Sequence, residues 1–109
     1  VNGMMKVLTV ADVVVSRCGM GVLTELSHFA KPSILIPMPD SHQEDNAQVF
    51  FDNSAAVVLS EKIIDNDSFV SSVKKVVLDD SLKQELSRNV KDIISNNAIT
   101  KISKILKNL

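Results

Sequence analysis

Two short stretches of this 109-residue chain carry groups able to hold a small polar ligand. The first is Ser16-Arg17-Cys18-Gly19-Met20-Gly21, which leads from a β-branched apolar run into a helical pattern at Val22. A helix start presents backbone N–H groups without intrahelical acceptors, and these attract phosphate. Glycines there let a ligand approach the main chain. The same residues also suit a plain tight turn. Gly-x-Gly lacks the third glycine of a dinucleotide fingerprint, and no Lys-Ser/Thr follows as in a nucleoside triphosphate loop. Glu25 lies one turn into the helix, about 100° from the centre of its apolar stripe. A carboxylate there can accept two hydrogen bonds from a vicinal diol such as a ribose. It also suits the N-terminal half of a helix as an ordinary solvated acid.

The second stretch is Pro39-Asp40-Ser41-His42-Gln43-Glu44-Asp45-Asn46. Gln43 and Asn46 are three apart and share a helix face. Each has a donor and an acceptor, as reading sugar hydroxyls requires, and His42 adds a third polar group. Ordinary capping of a polar helix start is the alternative. His42, Asp40 and Glu44 match no standard metal-ligand spacing. Cys18 follows a strand but has no readable His/Asp arrangement to activate it as a nucleophile. No catalytic residue, metal or cofactor is assigned.

The elements positioning these stretches follow from hydrophobic patterning. Residues 13–16 and 33–36 are short apolar runs of the buried-strand type, and residues 55–59 are a third. Between them, residues 22–30 and 43–53 read as helices. Lys31-Pro32 stops the first, because the residue before proline resists the α region. Residues 7–11 are short and apolar, the end of a helix or a strand. Strand, helix, strand, helix, strand predicts a parallel α/β sheet with ligands beyond the carboxyl ends of its strands. Three strands are few for a doubly wound domain, so missing strands are expected beside residues 13–16, leaving an open edge there.

Residues 60–109 read as a helical tail. Asp67 or Ser68 is the expected cap of one helix, and Asp80 or Ser81 of the next. The last segment alternates Ile99, Ile102, Ile105, Leu106 and Leu109 with Lys101, Lys104 and Lys107. The two parts differ in charge. Residues 1–59 hold three basic and six acidic side chains, whereas residues 60–109 hold nine basic and seven acidic ones. The whole chain has net charge −1, too little positive field for non-specific nucleic-acid binding. One cysteine forms no internal disulfide and fits a reducing compartment. Apolar types at 45% and charged types at 23% indicate a globular chain. No run of eighteen apolar residues is present to cross a membrane. Residue 1 is Val, and the opening residues have no signal-peptide character, which points to a piece of a longer protein.

Ala11-Asp12-Val13-Val14-Val15-Ser16-Arg17-Cys18-Gly19, then Thr24-Glu25, Lys31-Pro32, Ile36-Pro37 and His42-Gln43-Glu44-Asp45-Asn46-Ala47 resemble the C-terminal domain of MurG-type glycosyltransferases of family 28. The ordered set spans residues 11–47, with a looser likeness to the C-terminus. Two positions depart from the family pattern. Gly21-Val22 stands where a hydroxyl residue is frequent, and Ser41 stands where an Asp often precedes His-Gln.

The resemblance implies a partial Rossmann-like domain of GT-B type: a short parallel sheet flanked by helices, with residues 1–59 as a βαβαβ core and residues 60–109 as the tail. It implies that UDP-N-acetylglucosamine is the donor. Gly19, Met20, Gly21 and Val22 would face its diphosphate, Glu25 its ribose, and His42, Gln43 and Asn46 its sugar. The acceptor would be lipid-linked, as in the step from lipid I to lipid II of peptidoglycan synthesis, at the cytoplasmic face of the membrane. An N-terminal acceptor-binding domain and the rest of the C-terminal domain would complete the enzyme, so this stretch alone is expected to be inactive. Two other classes stand beside this one: a non-catalytic nucleotide-sugar binding subunit, and a structural α/β fragment without a ligand.

Overall fold

The structure is a computed structural model that describes residues 8–10 and 12–95. Its element order is β1 (Leu8–Val10), β2 (Val13–Ser16), α1 (Met20–His28), β3 (Ser33–Leu35), α2 (Gln43–Asp52), β4 (Val57–Val58), α3 (Asn66–Leu78) and α4 (Asp80–Ser95). The four described strands form one sheet in chain order, with β2, β3 and β4 parallel as the patterning requires. The reading of residues 96–109 as a further helical segment lies outside the described residues.

At the sheet's first edge one open reading is decided and one expectation is corrected. Residues 8–10 form a strand antiparallel to β2, with Leu8 opposite Val15 and Val10 opposite Val13. Antiparallel neighbours need only a tight connection. The edge at residues 13–16 is therefore occupied, and β1 and β4 are the outer strands among those described.

The pleat divides β2 and β3 between two cores. Val14 and Leu35 pack with Leu23, Leu26, Phe50, Val90 and Ile93, beneath α1 and α2. Val13, Val15 and Ile34 pack with Val76 and Leu86, beside Phe69 and Val73 of α3. Helix α4 contributes to both, through Leu86 on one side and Val90 and Ile93 on the other. Fully burying a Val, Leu or Phe contributes about 1.5–3 kcal/mol, so the sandwiched strands need both layers.

Helices α1 and α2 end alike. Lys31 N–H donates to Leu26 O at 3.0 Å, and Ala55 N–H donates to Phe50 O at 2.9 Å. Between each pair sits a residue in the left-handed region, Ala30 at φ 53° and Ser54 at φ 53°. Both are Schellman endings built without glycine. The tail's caps lie upstream of the expected ones. Asp65, in extended backbone, accepts from Ser68 N–H at 2.8 Å and starts α3. Asp79 accepts from Leu82 N–H at 3.0 Å and starts α4. The bond from Ser68 holds the Asp65 carboxyl below its ordinary range. The stabilisation this provides is complete above the unfolded carboxyl's pKa and is lost as pH falls through the lowered folded value.

Candidate functional site

Helix α1 begins at Met20, two residues earlier than its apolar stripe indicates, so Gly21 lies inside its first turn. Leu23 N–H already bonds Gly19 O at 3.1 Å. The N–H groups of Met20, Gly21 and Val22 precede that first bond and have no intrahelical acceptor. Among the described residues no side chain caps this end, and its first turn holds no acid. A helix start in that condition favours an anion.

The geometry removes the tight-turn explanation of the glycines. Gly19 sits at φ −70° and ψ 147°, which any residue adopts. A Cβ placed on Gly19 or on Gly21 meets no atom of the described residues within 4 Å. Neither backbone strain nor packing requires glycine at these two positions, and Gly21 costs the helix about 1 kcal/mol relative to alanine. The open space is over the main chain of the helix start.

The two loops predicted to carry the site are fastened together. Asn46 Nδ2 donates to Cys18 O at 2.8 Å. Gln43 Oε1 accepts from Cys18 N–H at 3.3 Å and from Met38 N–H at 2.9 Å. The shared face of Gln43 and Asn46 thus reaches the residue just before Gly19. Asn46 is 1% exposed, and its Oδ1 has no partner among the described residues. A buried acceptor in that state costs about 1–3 kcal/mol, so the site stores a demand for a donor. His42 is exposed at the start of α2, and its carbonyl accepts from Asn46 N–H at 3.2 Å. Glu25 is exposed on α1, where its apolar-stripe geometry puts it.

Arg17 has a role that residue type and spacing did not reveal. It donates to the carbonyls of Ile36 and Pro37, both at 3.3 Å, and pairs with Glu61. One guanidinium therefore ties the end of β2 to the loop after β3 and to the loop after β4. Lys62 adds a surface pair with Asp40 at 3.1 Å. The only advance signal was an arginine directly after an apolar strand, where five donors can collect carbonyls from neighbouring strand ends.

Cys18 is fully buried, and burial pushes its thiol up to about 12 against a smaller downward pull from Arg17. It is a packing residue and not a nucleophile. Among the described residues no group of His, Cys, Asp and Glu is placed to hold a metal. A cavity of about 320 Å³ opens at the ends of β3 and β4, between Pro37, Ala47, Phe51, Leu59 and Lys62. None of the sequence-derived site residues lines it, so it lies beside the candidate site and does not define it.

The sequence profile of the glycosyltransferase family 28 C-terminal domain matches residues 1–107. A UDP-N-acetylglucosamine--N-acetylmuramyl-(pentapeptide) pyrophosphoryl-undecaprenol N-acetylglucosamine transferase of Bacillus cytotoxicus is 35% identical over 112 residues, covering 100% of this chain and 31% of that protein. One of the same name from Natranaerobius thermophilus is 35% identical over 105 residues, covering 94% of this chain and 29% of its own. The crystal structure of Acinetobacter baumannii MurG superposes with a TM-score of 0.68 at 19% identity, over 91% of this chain and 29% of that one. The chain thus spans under a third of the length of these relatives.

Proposed function

The chain belongs to the glycosyltransferase family 28 C-terminal domain family, a family of transferases, and on that premise we propose that it is the donor-binding portion of a UDP-N-acetylglucosamine transferase. One observation carries the proposal. An uncapped, acid-free helix start with open space over two glycines lies next to Cys18, the residue on which Gln43 and Asn46 converge. The diphosphate would take the N–H groups of Met20, Gly21 and Val22. Gly19 and Gly21 would give it room to approach the main chain.

Glu25, exposed one turn along, would accept from the ribose hydroxyls. His42 and Gln43 would face the N-acetylglucosamine. Asn46 would support them from beneath, its unpartnered Oδ1 available to a donor brought by the ligand or by a small shift of the loop. The undecaprenol in the relatives' name supports a lipid-linked acceptor; the step from lipid I to lipid II, at the cytoplasmic face of the membrane, belongs to this proposal. Among the described residues no helix is long and apolar enough to cross a membrane.

Sugar transfer also requires an acceptor and a base held against the donor. Residues 1–109 supply only part of the donor side, and alone they would transfer nothing. Calorimetric titration of the protein at its full natural length tests the assignment. Glu25→Gln should weaken UDP binding about ten- to a hundred-fold, the value of one charge-assisted hydrogen bond. Gln43→Ala should weaken UDP-N-acetylglucosamine more than UDP. Equal affinity of wild type and Glu25→Gln for UDP, with both folded, would remove the ribose assignment.

A further inference from the structure

A second concavity, of about 690 Å³, lies at the opposite end of the sheet. Its walls are the turn Phe29-Ala30-Lys31-Pro32 and the side of α4 that carries Lys83, Arg88 and Lys91, with Asp12 and Asp80 at its margin. Among the described residues four cations thus face two acids. Asp80 is taken by Lys83 at 3.3 Å. Among the described residues no carboxylate comes within 4.0 Å of Lys31, Arg88 or Lys91. Phe29, on the same wall, is 63% exposed, with His28 edge-on to its ring. Ser87 Oγ donates to Ala30 O at 2.6 Å and fixes the two walls to each other.

We propose that this groove binds an extended acidic peptide segment of a partner protein. Charge complementarity selects an anion, and the exposed ring adds an apolar anchor of the kind peptide ligands use. The spacing suits an extended chain. The groove-lining stretch of α4 runs from Lys83, itself paired with Asp80, to Lys91, eight residues or about 12 Å along the axis. Four residues of extended peptide span about 13 Å. Concavity separates this occupant from a bilayer, because a flat membrane surface reaches the rim of a groove and not its floor. The position separates it from the donor, since the groove is at the amino-terminal end of β2 and β3.

The test uses the protein at its full natural length and a fluorescent peptide alternating Glu with Leu. The variants Lys31→Glu/Lys91→Glu and Lys74→Glu/Lys75→Glu change net charge equally, the second on α3 away from the groove. The groove variant should bind the peptide about tenfold more weakly, with the α3 variant within twofold of wild type. Phe29→Ser should weaken binding without changing its salt dependence. UDP affinity should be the same in all three variants, which keeps this result separable from the donor assignment. Equal losses in the groove and α3 variants would overturn the proposal in favour of a general field. Wild-type binding to phosphatidylglycerol vesicles but not to the peptide would overturn it in favour of a membrane.

Discussion

The two ends of the sheet are built on opposite plans. At the carboxyl end of β2 and β3, side chains are spent on fastening loops to one another: Arg17, Gln43 and Asn46 together hold five main-chain groups, one each of Ile36, Pro37 and Met38 and two of Cys18. The helix start they surround is left bare. At the amino end, main-chain groups satisfy one another through Schellman endings, and Lys31, Arg88 and Lys91 are left to solvent. Rigid loops around an unsatisfied backbone suit a small anionic ligand, which must be met without reorganisation. Satisfied backbone beneath free long side chains suits a larger and less demanding partner. The two ends thus differ in how their polar groups are satisfied, which is the basis for the ligand site proposed at one and the docking surface proposed at the other.

The largest expected effect concerns Cys18. A thiol moved from 9.0 to about 12 carries about a thousandfold less thiolate at neutral pH. Alkylation by iodoacetamide should therefore be slower by that order in the folded protein than in urea. Rates equal in both would show that the loop on which Gln43 and Asn46 converge is open. The next effect is structural. Asn46→Ala removes the bond to Cys18 O inside the core and should cost about 1–3 kcal/mol in denaturant titration. At the other end, Ser87→Ala loses a half-buried bond to Ala30 O and should cost about 1 kcal/mol or less. Reversal of that order would break the contrast between the ends.

Gly21→Ala sharpens the same contrast, because stability and binding should move in opposite directions. The new methyl meets no atom of the described residues within 4 Å, so the helix should gain up to about 1 kcal/mol. The same methyl would occupy the space above the backbone, and UDP affinity should fall. A gain in both would mean that the space is not used. Smallest are Ala30→Gly and Ser54→Gly, which relieve left-handed backbone at the two helix ends. Each should raise stability by about 0.5–1 kcal/mol, measurable as a rise in Tm.

Much of this arrangement could be read from residue types. Val13-Val14-Val15 and Ile34-Leu35 are apolar on both faces, as only doubly covered parallel strands are, and that fixed the order of strands and helices. Residues 7–11 are too short for any period to show, so β1 was open between helix and strand, and its pairing with β2 depends on the edge it finds. The Schellman endings were hidden because their usual glycine is replaced by Ala30 and Ser54. Gln43 and Asn46 could be read as a polar pair on one face. Their attachment to Cys18 could not, since a polar residue in a helical pattern reads as solvated until the fold buries it. Arg17 was visible only as part of a motif, because its partners Ile36, Pro37 and Glu61 are 19 to 44 positions away.

Amide chemical shifts of the protein at its full natural length, followed during titration with UDP and separately with uridine, test the central claim most directly. If the diphosphate rests on the start of α1, UDP should move the N–H resonances of Met20, Gly21 and Val22 downfield and uridine should leave them in place. Unmoved resonances there, with shifts instead at Ala30, Lys31 and the groove-facing residues of α4, would contradict the account and move the anion site to the other end of the sheet.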